Sequence, residues 1–106
     1  KPSIMSVQDA LNTITKTLVA GTQTGEPNWT LVNSEYDTEE EVYASDYVLE
    51  SASVDAKVVL KTRLRAVSGE SCLVTYWFVI EKQPLWLPPF AKAVRRADTT
   101  VWKALK

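Results

Sequence analysis

The stretch Ala56-Lys57-Val58-Val59-Leu60-Lys61-Thr62-Arg63-Leu64-Arg65-Ala66 decides the fold of this chain. Val58, Leu60, Thr62, Leu64 and Ala66 alternate with Lys57, Val59, Lys61, Arg63 and Arg65. Successive side chains of a pleated strand point to opposite faces, so a strand over 56–67 has one buried face and one basic, wet face. Ser68-Gly69-Glu70 then supplies a hairpin turn. A further strand follows over 71–82, with Val74, Tyr76, Phe78 and Ile80 on one side and Leu73, Trp77 and Val79 on the other. Apolar residues on both sides predict a central strand, or one whose second face meets something else.

Upstream, residues 41–50 read as a strand, with Val42 and Val48 on one side and Tyr43, Tyr47 and Leu49 on the other. Residues 28–36 read as another, Trp29, Leu31 and Asn33 alternating against Thr30, Val32 and Ser34. The polar run Asp37 to Glu40 turns the chain between them, and Ser51 to Ser53 is a second short turn. Gly21 to Pro27 is a loop by its glycines and proline. Before it, Val7, Leu11, Ile14 and Leu18 recur at helical spacing with Ala10 beside them, which predicts an amphipathic helix over 6–20. Ser6 can cap that helix, and Asp9 lies in its first turn, where the dipole favours a carboxylate. Downstream, Gln83-Pro84-Leu85-Trp86-Leu87-Pro88-Pro89 forbids further strand pairing, because proline cannot donate to a ladder. Phe90, Val94, Ala97, Val101 and Leu105 then predict a closing helix from Phe90 to Lys106.

The fold class is therefore α+β: a four-stranded antiparallel sheet with an N-terminal and a C-terminal helix packed on one face, in the order α-β-β-β-β-α. Short turns make the sheet antiparallel, and two helices with one apolar stripe each must cover a single face of it. A long closing helix across a curved antiparallel sheet is the layout of helix-grip folds. The likeness is one of layout, and no family motif accompanies it.

With 106 residues, residues 1–106 make one small domain. No apolar run approaches the ~20 residues of a membrane span. There is no histidine, which removes the usual zinc ligand set and every His-based triad. Cys72 is the single cysteine, so no internal disulfide forms, and it marks no compartment. A chain that opens Lys1-Pro2 reads as a processed or trimmed form. Asn28-Trp29-Thr30 fits a glycosylation sequon, which matters only in a secreted chain.

The formal net charge of −1 hides an asymmetry: residues 1–56 carry a net −8 and residues 57–106 a net +7. Acidic strands beside basic ones would neutralise each other across the sheet. A charge separation left over would steer a charged partner.

Little catalytic chemistry can be built from these residues. Cys72 opens an apolar strand with no His to activate it, and reads as a structural thiol. Glu39, Glu40 and Glu41 sit at a turn and read as a solvated rim rather than a paired acid and base. Oxygen ligands at Glu35, Asp37 and Glu39 would suit calcium, but the glycine of an EF-hand loop is absent. No phosphate-cradling glycine loop exists. The expectation is a non-enzyme with no metal and no cofactor. A negative net charge, with Trp77 expected in the core rather than as a stacking platform, disfavours nucleic acid.

The binding candidates are Trp77, Leu85, Trp86, Leu87, Phe90, Arg95, Arg96 and Trp102. Loops are normally polar, yet Leu85, Trp86 and Leu87 lie between prolines with Phe90 next. They either fold back as a lid or form an exposed apolar patch. Lys92, Arg95 and Arg96 stand in the first half of the closing helix, where the dipole does not favour cations, so a packing or binding reason must hold them there. Lys103 and Lys106 lie at its favourable end. Together these features point to a protein-interaction or adaptor domain with a protein partner or a membrane-associated assembly. The alternative is a small apolar-ligand or lipid-binding module with a cavity between the sheet and the C-terminal helix.

Overall fold

The computed structural model describes residues 2–20, 29–51, 56–82 and 88–104, the side chains of 2, 3, 20, 51, 88–91 and 104 excepted. Helix α1 (Val7–Ala20) is followed by the strands β2 (Trp29–Asp37), β3 (Val42–Ser51), β4 (Ala56–Ala66) and β5 (Cys72–Lys82), and then by helix α2 (Pro88–Ala104). The α+β order read from the sequence is the order observed. One piece escaped that reading: a two-residue strand β1 (Pro2–Ser3) that adds to the outer side of β5, giving the sheet order β1-β5-β4-β3-β2. Strand β5 therefore stands next to an edge rather than at the centre.

All neighbours are antiparallel, and the registers fix two faces. Tyr47 pairs with Leu60 and Leu60 with Phe78; Leu49 pairs with Val58, and Val58 with Ile80. These residues belong to the face that both helices cover. Against it α1 lays Ala10, Ile14 and Leu18, and α2 lays Ala97 and Val101, in one core with Trp29, Tyr47, Leu49, Leu60, Leu64 and Val74. The apolar stripe of each helix has nowhere else to go, since helical spacing gathers it on one side. The N-terminus of α1 is held as its sequence implies: Oγ of Ser6 accepts the amide of Asp9 at 3.1 Å.

Two β-bulges shape the sheet. One lies in β2 between Leu31 and Asn33, the other in the β4–β5 ladder between Lys57 and Val58. The first overturns part of the sequence reading. Strict alternation puts Asn33 beside Trp29 and Leu31, but the extra residue Val32 shifts the phase, so Ser34 and Tyr36 pair with Ser45 and Tyr43 on the helix side. Bulges also bend strands. Strands β2 and β5 are three strand spacings apart, roughly 14 Å in a flat sheet. The rings of Trp29 and Phe78 nonetheless meet at 6.2 Å between centroids, which reports a concave inner face closed by its own aromatic side chains.

The β2–β3 turn holds the one positive φ outside glycine among the described residues, Glu41 at 57°. Oδ1 of Asp37 accepts the amides of Glu39 and Glu40, at 2.9 and 3.1 Å, and so fixes the turn that forces Glu41 left-handed. A left-handed conformation costs a residue with a Cβ roughly 1–2 kcal/mol. Glu41→Gly is expected to stabilise the fold by about 1 kcal/mol, a rise in Tm of ~4 °C or more by calorimetry. An unchanged or lower Tm would mean that the turn relaxes without strain.

Candidate functional site

The helix-covered face offers hydroxyls but no catalytic pair. Ser34, Ser45, Thr62 and Tyr76 form a row across four strands. Oγ of Ser34 and Ser45 lie 3.2 Å apart, and Thr62 Oγ1 donates to the Ser45 carbonyl at 3.2 Å. Tyr76 Oη donates to Oδ1 of Asp98 on α2 at 3.0 Å. Each hydroxyl is engaged with a neighbour, as buried polar groups must be. Cys72 is buried, and burial pushes its thiol up, away from the thiolate a nucleophile needs. Among the described residues no three Cys, Asp or Glu side chains gather as a metal set. Asp37, placed in the calcium reading, spends its Oδ1 on the turn.

The Tyr76 phenol is pushed up to about 12, first by burial, then by its hydrogen bond to Asp98 and by that carboxylate's charge. An unfolded tyrosine titrates near 10. Between about pH 10 and 12 the folded chain thus keeps a proton that the unfolded chain has lost, so stability falls as pH rises through that window. Burial raises Tyr47 as well, against a smaller lowering by its bond to Thr15, and adds to the same fall. Tyr76→Phe is expected to flatten part of the decline in urea midpoints over this range. A variant that tracks the parent throughout would remove the Tyr76–Asp98 pair as its source.

Among the described residues no helix packs on the opposite face of the sheet. Its charges pair across strands: Asp46 of β3 lies 3.6 Å from Nζ of Lys61 and 3.7 Å from Nη1 of Arg63, and Lys57 lies 3.2 Å from Glu81. Oδ1 of Asp46 makes no hydrogen bond among the described residues, so the Arg63 contact is its nearest compensation. Asp46 thereby sets one carboxylate of residues 1–56 against two bases of residues 57–106. Trp77 stands on this face and is 40% exposed, with the Arg63 guanidinium 5.1 Å from its ring centroid. The expectation that Trp77 is core does not hold. It shares its face with Lys61, its register partner, while the covered face of β5 is occupied by Val74, Tyr76 and Phe78.

The two long edges of the sheet are built differently. Strand β2 is bulged and carries Glu35 and Asp37, devices that discourage edge-to-edge pairing. On the outer side of β5, β1 pairs only with Cys72 and Leu73. Beyond them the run Thr75-Tyr76-Trp77-Phe78-Val79-Ile80 has no charge, no proline and, on this side, no described partner strand. Ile80 and Trp77 flank it as exposed side chains, one on each face.

Helix α2 presents the third surface. Lys92, Arg95, Arg96, Thr99, Thr100 and Lys103 line an open depression of about 450 Å³ along its solvent side. Trp102, half-exposed, borders it. Arg95, Arg96 and Trp102 are thus brought onto one helix, away from Trp77 on the far side of the sheet. Leu85, Trp86, Leu87, the Phe90 side chain, the 21–28 loop with Asn28, Ala52 and Ser53, and Lys106 lie outside the described residues. Sequence reasoning misses Arg63 as a neighbour of Trp77, because only the pairing of β4 with β5 brings them together. Lys103 enters that reasoning through the helix dipole alone, although its spacing from Lys92, Arg95 and Thr99 already aligns it with them.

No family model, no curated protein and no solved structure matches this chain.

Proposed function

We propose that this chain is a non-enzymatic protein-interaction domain that docks an extended segment along the outer side of β5, and that its occupant is β5 of a second copy. The observation that carries the reading is the uncharged run from Thr75 to Ile80, open on the outer side beyond β1 among the described residues. A row of unpaired backbone donors and acceptors is a template for another strand. Pairing the run antiparallel with itself opposes no like charges. The exposed Trp77 and Ile80 supply anchors above and below the new ladder, and tryptophan and arginine are the residues that dominate interface energies. A two-fold pairing of this kind closes on itself and ends the assembly at a dimer.

The reading of a small apolar-ligand or lipid-binding cavity has less support. Trp29, Phe78, Ile14, Leu60 and Val101 fill the described part of the layer between sheet and helices. The engaged hydroxyls and the buried Cys72 favour a non-enzyme.

Sedimentation velocity across micromolar to near-millimolar concentrations tests the proposal. The parent chain is expected to pass from monomer to dimer as concentration rises. The double variant Trp77→Lys/Ile80→Lys, with an unchanged circular dichroism spectrum, is expected to stay monomeric. A parent chain that remains a monomer throughout, or a double variant that dimerises equally well, overturns it.

A further inference from the structure

We infer that the solvent side of α2 is an electrostatic docking surface for an anionic phospholipid membrane. Lys92, Arg95, Arg96 and Lys103 all lie along the described depression with Thr99 at its middle. They span twelve residues of one helix, eleven rises of ~1.5 Å or about 16 Å. The opposite side of the same helix is spoken for: Ala97 and Val101 are buried in the core, with Ala93 and Val94 packed against it. Asp98, the carboxylate nearest the stripe, is drawn aside by the phenol of Tyr76. Lys92 and Arg95 are exposed, so burial does not account for these two cations in the half of the helix where the dipole opposes them.

The shape of this charge favours a planar anionic surface over a nucleic acid. A single row along one side of a helix, at a wide-open depression, presents its cations toward a plane together, whereas a duplex is gripped from several sides by a basic groove. Among the described side chains of α2, Trp102 is the one aromatic residue beside these cations, whereas a strand-binding groove stacks successive bases on several. Trp102 instead borders the row beside Lys103, half-exposed, where an indole ring settles at headgroup depth. The rest of the molecule would repel a polyanion that wrapped it, since residues 1–56 carry a net −8.

Each basic residue near an anionic leaflet contributes about 1 kcal/mol, roughly a five-fold change in partitioning. Co-sedimentation with vesicles of phosphatidylcholine, with and without phosphatidylserine, provides the test at low ionic strength. The parent chain is expected to bind only the vesicles that contain phosphatidylserine and to be released by molar salt. Lys92→Gln/Arg95→Gln/Lys103→Gln, exposed positions whose change leaves the melting curve intact, is expected to lose about 100-fold in partitioning. The β5-edge variant keeps parent-like binding, which separates this inference from the dimer. Equal binding to neutral vesicles, no binding to anionic ones, or displacement by a DNA duplex at lower phosphate concentration than the vesicles present overturns it.

Discussion

Tyr47→Ala is expected to remove roughly 3–5 kcal/mol of stability. Tyr47 is the largest of the fully buried side chains, at 0% exposure, in the middle of β3. Its ring lies against the α1 layer, and its Oη sits 2.6 Å from Oγ1 of Thr15. Truncation forfeits the transfer of the ring from water, opens a cavity that the strands on either side cannot collapse, and strands a hydroxyl on α1. Chains of this size are stable by only about 5–15 kcal/mol, so the variant stands near the unfolding threshold at room temperature. Urea denaturation gives the measurement. Tyr47→Phe separates the causes: it keeps the packing, loses the bond to Thr15, and is expected to cost about 1 kcal/mol. A Phe variant as unstable as the Ala variant would place the effect in the hydrogen bond instead.

Trp29→Ala is expected to cost about 3–5 kcal/mol as well, for a different reason. Trp29 is buried at the start of β2 and meets Phe78 of β5 across the concave face. That contact joins the two sides of the sheet without a strand between them, so its loss removes core volume and also the brace that holds the curl. Tyr76 stands edge-on to Phe78, at 6.3 Å and 88°, and would lose its support in turn. The variant is expected to show a lowered midpoint and faster amide exchange in β2 and β5, with β3 and β4 protected to the global limit. Uniform loss of protection across all four strands would mean that Trp29 contributes volume only. The void would be apolar and dry, so a small aromatic molecule is expected to restore part of the stability.

The strand of alternating Val, Leu, Lys and Arg at 56–66 is legible because its two faces differ so sharply, and β3 is legible for the same reason. The helices are legible from their apolar spacing, to within a few residues at each end. Strand β1 is not, since two residues have no period to read. The bulge at Val32 is not either: phase shifts leave no mark in composition, and every residue after the shift changes face. Among the candidate residues, Trp77 is legible as an aromatic side chain on β5, but its environment is not. Apolar residues on both sides of β5 resemble a central strand, and here they arise because one side faces the helices while the other bears Trp77 beneath a guanidinium.

Local order was settled by the sequence alone. Among the described residues, and β1 apart, which segments form helices and which form strands follows from periodicity and steric limits acting over a few residues. The tertiary structure decided what depends on residues distant in the chain: that Asp46 lies beside Lys61 and Arg63, that Trp29 reaches Phe78, that Thr75 to Ile80 have no partner strand on their outer side among the described residues, and that four cations of α2 are exposed. Those outcomes depend on register and curvature, which are set by the sum of many weak contacts and written in no single stretch of residues.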